Sequence, residues 1–311
     1  MRVPTNNIPA TLITQLNQLN TRQNRLQSQA ATGQRVQWAE DDPAAMQRAL
    51  DLQSNSRANG QYGKNIDFLK ERTTTTLSSI RSVQTVLDRA GEIAVLADGT
   101  KSKEELNAYA SEVDQMIREA VSQSNSQHRG AYIFGGTATD QPPFVLTEDA
   151  DKNVTGVTYQ GNTDSAELEI AQGTKLSVQM PGANTSGAGA HGLFTDSRTG
   201  ADVFAHLISL REHLSAGDTA AISATDRAAL SKDEDNVIYH LANTGAVQSR
   251  LETAATTTTT RASDLRQAFS NEVDADLAET LVQLTSTQTA YKAALQSGAS
   301  LMNTSLMDYL R

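Results

Sequence analysis

Apolar and polar positions over residues 272–311 follow a four-then-three rhythm. From Leu277, the larger or neutral residues recur at Leu281, Leu284, Gln288, Tyr291, Leu295, Gly298 and Met302, which is the seam of a long amphipathic helix. The opposite end of the chain repeats the spacing at Ile8, Leu12, Leu16, Leu19, Gln23, Leu26 and Ala30. Each stripe is narrow and needs a partner, and the other terminal helix is the nearest one available. The pattern therefore predicts a terminal-helix pair that serves assembly. Its contact residues are expected at Leu12, Leu16, Leu19, Leu26, Leu277, Leu281, Leu284, Tyr291, Leu295 and Met302.

Between the first helix and the next lies a turn with strong local signals. Gly33 can end the first helix, and Asp42 before Pro43 is an N-cap followed by proline at the first helical position. Gly33, Arg35, Asp41, Asp42 and Pro43 thus form a helix-start and turn motif. A strict heptad follows from Tyr62 to Ala94, broken at Asp98-Gly99-Thr100, and a further helix is expected from Lys103 to about Gln127. At Gly130 the period changes. Tyr132–Phe134, Val154–Tyr159, Ala166–Ile170 and Lys175–Met180 read as short strands, and Gly182–Gly192 as a flexible small-residue loop. A helix over Asp202–Leu214 comes next, and seven-residue spacing returns from Leu230 to Phe269. The run Thr256–Thr260 reads as helix, although its β-branched residues also permit a break there.

The order helices, β insert, helices gives a mainly α fold with a β insert. A long antiparallel helical bundle or coiled coil runs from both termini and carries a small β-rich domain. The expected divisions are a terminal-helix pair (1–40 and 272–311), a long-helix bundle (41–140 and 220–271) and a β-rich domain (141–219).

Charge and composition narrow the function classes. The formal charge of −10 favours neither nucleic acid nor an anionic membrane. Aromatic content of 5% with a single Trp is thin for a large enzyme core. With no Cys, disulfides, thiolate nucleophiles and Cys-metal sites are excluded. No apolar run reaches membrane-spanning length, and residues 1–20 lack the apolar segment of a cleaved signal. A cytoplasmic protein is the plain inference, and a surface protein exported without a cleaved signal would look identical. The arms are oppositely charged: residues 1–39 hold Arg2, Arg22, Arg25 and Arg35 and no acid, whereas residues 272–311 hold five acids against two bases.

The candidate chemistry is sparse. His128, His191, His206, His213 and His240 form no metal-ligand pair at a usable spacing. Asp149-Ala-Asp151-Lys-Asn153 opens like a calcium loop but has Val154 where glycine is needed and Gln160 where glutamate is needed. The sequons at Asn153 and Asn184 read as chance matches. No element is built around a reaction, so neither an enzyme nor a cofactor is expected.

Three stretches together resemble the bacterial flagellin family. Gln27-Ser-Gln-Ala-Ala-Thr-Gly-Gln-Arg-Val36 with Glu40-Asp-Asp-Pro-Ala-Ala45 is similar to that family's helix, glycine turn, basic residue and Asp-Asp helix start, departing from it at Trp38 and Pro43. Val86–Thr100 is similar to the helix end of its first packed domain, and Asp274–Leu295 to its carboxy-terminal arm. The string Tyr132-Ile-Phe-Gly-Gly-Thr-Ala-Thr-Asp-Gln-Pro-Pro-Phe144 narrows the resemblance to members at the hook–filament junction. That resemblance implies a structural subunit exported by the flagellar type III apparatus, with a chaperone shielding the carboxy-terminal arm beforehand. It implies a homo-oligomeric ring of eleven protomers between hook-associated protein 1 and flagellin, secreted to the extracellular flagellum, with the β domain facing outward. Two alternatives stay open: filament flagellin itself, which would polymerise alone, and a helical type III secretion-system structural or effector protein, which would act on host targets.

Overall fold

A computed structural model describes residues 7–309, with side chains described for residues 10–300. The chain divides into two compact units, a terminal unit (1–58 with 261–311) and a middle unit (59–260).

In the terminal unit, α1 spans Asn7–Thr32 and α7 spans Leu277–Tyr309. Gly33 stops α1 at a left-handed φ of 73°, a conformation that costs glycine nothing. The next helix, α2 (Pro43–Leu96), starts where the Asp-Pro signal placed it, with the Ala45 N–H donating to Asp42 Oδ1 at 3.0 Å. It is one unbroken helix of 54 residues, so the heptad beginning at Tyr62 lies inside a longer element. Likewise α6 (Arg227–Val273) runs straight through the threonine run. There the Thr256, Thr257, Thr259 and Thr260 hydroxyls donate to the carbonyls four residues back, which keeps the polar groups satisfied within the helix. Both α2 and α6 contribute residues to each unit.

The middle unit packs its core around the second half of α2, α3 (Lys103–Ser124) and α4 (Val203–Ala216). A short turn α5 (Thr219–Ala221) and a π-helical turn (Ile222–Asp226) lead into α6. The strands form small separate sheets. Antiparallel pairs join β1 (Gln127–His128) to β2 (Ala131–Tyr132), β3 (Phe144–Glu148) to β4 (Val154–Tyr159), and β5 (Leu168–Ala171) to β6 (Thr174–Leu176). In the fourth sheet, β8 (Thr195–Asp196) pairs in parallel with β7 (Ala183–Asn184) and antiparallel with β9 (Ala201–Asp202). Phe134, Phe144, Phe194 and Phe204 form one aromatic cluster, with ring centroids 5.1–5.4 Å apart in the contacting pairs. The Tyr132–Phe144 string is therefore a core-forming strap. Buried Asp114 pins the β3–β4 hairpin to α3 and α4, accepting from the Val154 N–H at 3.1 Å and from Arg211 at 3.2 Å.

The glycine-rich stretch departs from the flexible loop its composition suggested. Asn184, itself buried, donates to the carbonyls of Ala188 and Ala190 and accepts from the N–H groups of Ser186 and Gly187. A glycan on that side chain would have to leave the core. Asp149 accepts from the N–H groups of Asp151 and Asn153, an acidic turn closed on itself. His206 is engaged by Asp233 at 2.8 Å and His213 by Asp226 at 2.7 Å. Burial pushes the Asp233 carboxyl up, and its hydrogen bond to His206 pulls that imidazole up as well.

Candidate assembly interface

The two terminal helices pack side by side, and the seam is as thin as the sequence pattern demands. On α1, Leu12, Leu16 and Leu19 are half-buried and Leu26 is buried. On α7 the residues turned inward are Thr280, Leu284, Thr287, Tyr291, Ala294 and Gly298. Gly298 sets the approach: a Cβ there would lie 2.4 Å from Leu12 Cδ2. Thr280 and Thr287 are buried because each hydroxyl donates to the carbonyl four residues earlier at 2.7 Å, leaving the methyl to pack. These two were missing from the contact residues read off the sequence. The signal was present, since Thr280, Thr287 and Ala294 are seven apart, but threonine reads as polar in a pattern search.

Three of the leucines in the expected seam lie elsewhere. Leu277, Leu281 and Leu295 are 49%, 51% and 46% exposed, displaced roughly 60–100° around the helix from the buried stripe. Val282 on α7 and Ile13 on α1 are exposed as well. The side chain of Met302 lies outside the described residues. The helix α7 thus carries two adjacent stripes, one closed by α1 and one uncovered within a single chain.

The turn motif forms a clasp between the end of α1, the start of α2 and the α6–α7 junction. Gln34 bridges to Asp274, the Arg35 N–H donates to the Val273 carbonyl at 2.7 Å, and the Ala275 N–H donates to the Gly33 carbonyl at 2.8 Å. The Arg35 guanidinium reaches the Glu272 carbonyl at 2.7 Å and Asp42 at 3.2 Å, while Arg48 holds the Glu272 carboxylate through two bonds of 3.0 and 2.8 Å. Beneath these bonds, Leu26, Val36, Ala45, Ala49 and Val273 are buried. The N–H groups of Trp38 and Gln37 hold the Asp41 carboxyl below its ordinary range. The Ala45 N–H and then Arg35 do the same for Asp42, as Arg48 does for Glu272. Pro43 opens α2 with an exposed ring.

A groove of about 790 Å³ lies between α1 and α7, lined by Arg22, Arg25 and Arg35 on one side and by Asp276 and Glu279 on the other. The opposite charges of the arms meet across this groove without a direct ion pair among the described residues. Arg25 turns instead to Asp41 at 3.6 Å and Arg35 to Asp42, while Asp276 caps α7 by accepting from the Ala278 and Glu279 N–H groups. No group of three or more metal-ligating side chains occurs among the described residues, and no described helix is long and apolar enough to cross a membrane. The geometry suits helix-on-helix association.

Residues 3–139 match the family model of the bacterial flagellin N-terminal helical region. Flagellar hook-associated protein 3 of Escherichia coli strain K12 is 27% identical over 294 residues, covering 89% of this chain and 90% of that protein. Among solved structures, a putative flagellar hook-associated protein from Vibrio parahaemolyticus superposes with a TM-score of 0.64 at 19% identity, over 75% of this chain and 100% of that one. Bacillus cereus FlgL gives 0.57 at 23% identity, over 71% and 99%. At such identities these structures speak to the fold alone, which is flagellin-like: long helices from both ends and a small strand-containing part.

Proposed function

We propose that this chain, whose residues 3–139 match the bacterial flagellin N-terminal helical region, is a structural subunit of the bacterial flagellum at the hook–filament junction. It is exported by the flagellar type III apparatus with a chaperone on its carboxy-terminal arm. Outside the cell it assembles into a ring, eleven protomers by the family's pattern, between hook-associated protein 1 and flagellin. The terminal helices, 1–40 and 272–311, are the assembly module, and the long-helix (41–140 and 220–271) and β-rich (141–219) parts surround it. Catalysis has no part in this reading.

The observation that carries it is the second stripe on α7. Leu277, Leu281 and Leu295 are large, apolar and exposed beside a seam too thin to hold an isolated helix pair firmly. Burying a leucine side chain is worth ~1.5–3 kcal/mol, so neighbours that cover the stripe supply what the single chain lacks. A lone arm of this kind orders on association. The localisation experiment is immunogold labelling of flagella from cells carrying this chain. A band confined to the place where hook meets filament is expected. Label along the whole filament would make the chain a filament flagellin instead, and a deletion strain that swims normally would overturn the reading.

A further inference from the structure

The chain's single tryptophan stands 68% exposed on a turn that is held still. Asp41 Oδ2 accepts from the Gln37 and Trp38 N–H groups at 3.1 Å each, and the Asp41 N–H returns to the Trp38 carbonyl at 3.0 Å. Arg25 lies 3.6 Å from the same carboxylate. The backbone under Trp38 is therefore fixed while its indole stays outside. Tryptophan is enriched among binding hot spots, because it supplies large contact area. The chain also offers a receptor of matching chemistry. The groove between α1 and α7 combines buried Leu26 with the guanidinium groups of Arg22, Arg25 and Arg35 and the carboxylates of Asp276 and Glu279. An indole seeks those three things together: an apolar contact, a cation against its ring face, and an acceptor for its N–H. Arg22 makes no ion pair among the described residues, and neither does Glu40, which is exposed two positions beyond Trp38.

We infer that Trp38 of one copy docks in the α1–α7 groove of a second copy, with Glu40 meeting Arg22. The docking is heterologous, each copy offering its knob to one neighbour and its groove to another. Contacts of that kind generate rings or helical arrays rather than closed two-fold dimers. The inference rests on the assembly reading above and adds to it a residue pair and a direction.

Because this chain has no cysteine of its own, a ladder of its copies needs the introduced pair. Flagella from cells producing a Glu40→Cys/Arg22→Cys double variant, treated with a short bismaleimide, are expected to give a ladder of cross-linked copies, whereas each single variant gives none. In parallel, Trp38→Ala should lower incorporation into sheared flagella roughly tenfold or more, and Trp38→Phe should restore much of it. Circular dichroism of the purified Trp38→Ala chain should match the parent, since an exposed side chain is being removed. Normal incorporation of Trp38→Ala, or no ladder from the double variant in flagella that contain it, overturns the docking while leaving the junction role standing. A deletion strain with normal flagella overturns both. Cross-linking to another flagellar protein instead of a second copy would refute the self-docking.

Discussion

His240 offers the clearest quantitative check on how the middle unit is held. It is 2% exposed on α6, and its Nε2 lies 3.0 Å from the Gly192 carbonyl, at the end of the glycine-rich stretch. That carbonyl also accepts from Asn236 at 3.0 Å, and the Gly192 N–H donates to buried Asp196. Burial drives the imidazole pKa down to about 4, with Arg198 and His191 nearby opposing a further positive charge and Asp196 favouring it. In the unfolded chain the ordinary value near 6.5 returns. Between these values the unfolded state binds a proton that the folded state refuses, so stability falls as pH falls from about 6.5 and levels off below about 4. A gap of about two and a half pH units, at ~1.4 kcal/mol each, is worth about 3 kcal/mol by pH 4. Replacement by Gln removes the titration and keeps an N–H for Gly192. Urea unfolding followed by circular dichroism at pH 7.5 and pH 4 should show His240→Gln gaining about 3 kcal/mol on the parent between the two conditions. The other titrating groups are common to both chains and cancel in this comparison. Parallel pH profiles would refute the buried neutral histidine and with it the pinning of Gly192 to α6.

Other expectations concern the terminal unit. Gly298→Val should cost the α1–α7 seam about 1–3 kcal/mol by overpacking against Leu12, seen as faster amide exchange along α1; unchanged exchange would mean that the helices are not in register there. Leu281→Lys alters an exposed position, so helicity should be unaffected while incorporation into flagella is lost; a variant that assembles normally would show the second stripe to be unused. Thr287→Val should leave the seam intact, because the hydroxyl serves only its own helix, whereas Thr287→Asp should loosen it, again read by exchange in α1. Asp41, Asp42 and Glu272 all have lowered pKa values when folded. Their contribution is complete above the ordinary carboxylate pKa and is lost as pH falls through the lower folded values. The Arg35 and Ala275 amides should therefore lose protection below about pH 4; protection that persists to pH 2 would contradict the clasp.

How much of this was legible in the sequence depends on which residues carried the signal. Gly33 and the Asp42-Pro43 start act through local backbone chemistry, and the structure places the helix end and the helix start there. The heptads fixed α1, α7 and the long helices for the same reason, since a period survives whatever tertiary partner is found. What a pattern cannot reveal is which neighbour covers a given face. Leu277, Leu284 and Leu295 read as one seam, yet a single chain covers only the side of α7 nearest Leu284, and that side is completed by Thr280, Thr287 and Gly298. The clasp was hidden for a different reason. Arg35 and Arg48 meet Glu272 across more than two hundred residues, and no local window contains both ends of such a bond. The glycine-rich stretch read as mobile because composition does not register that Asn184, Asp196, Asn236 and His240 converge on it. On the assembly reading proposed above, these misses share a physical cause with the function. A chain whose end helices completed their own seam with leucine would be stable alone and have little to gain from a neighbour. By placing threonine and glycine among the leucines of the internal seam and leaving Leu277, Leu281 and Leu295 on the outer stripe, this sequence gives the single chain apolar surface that association would bury on that reading.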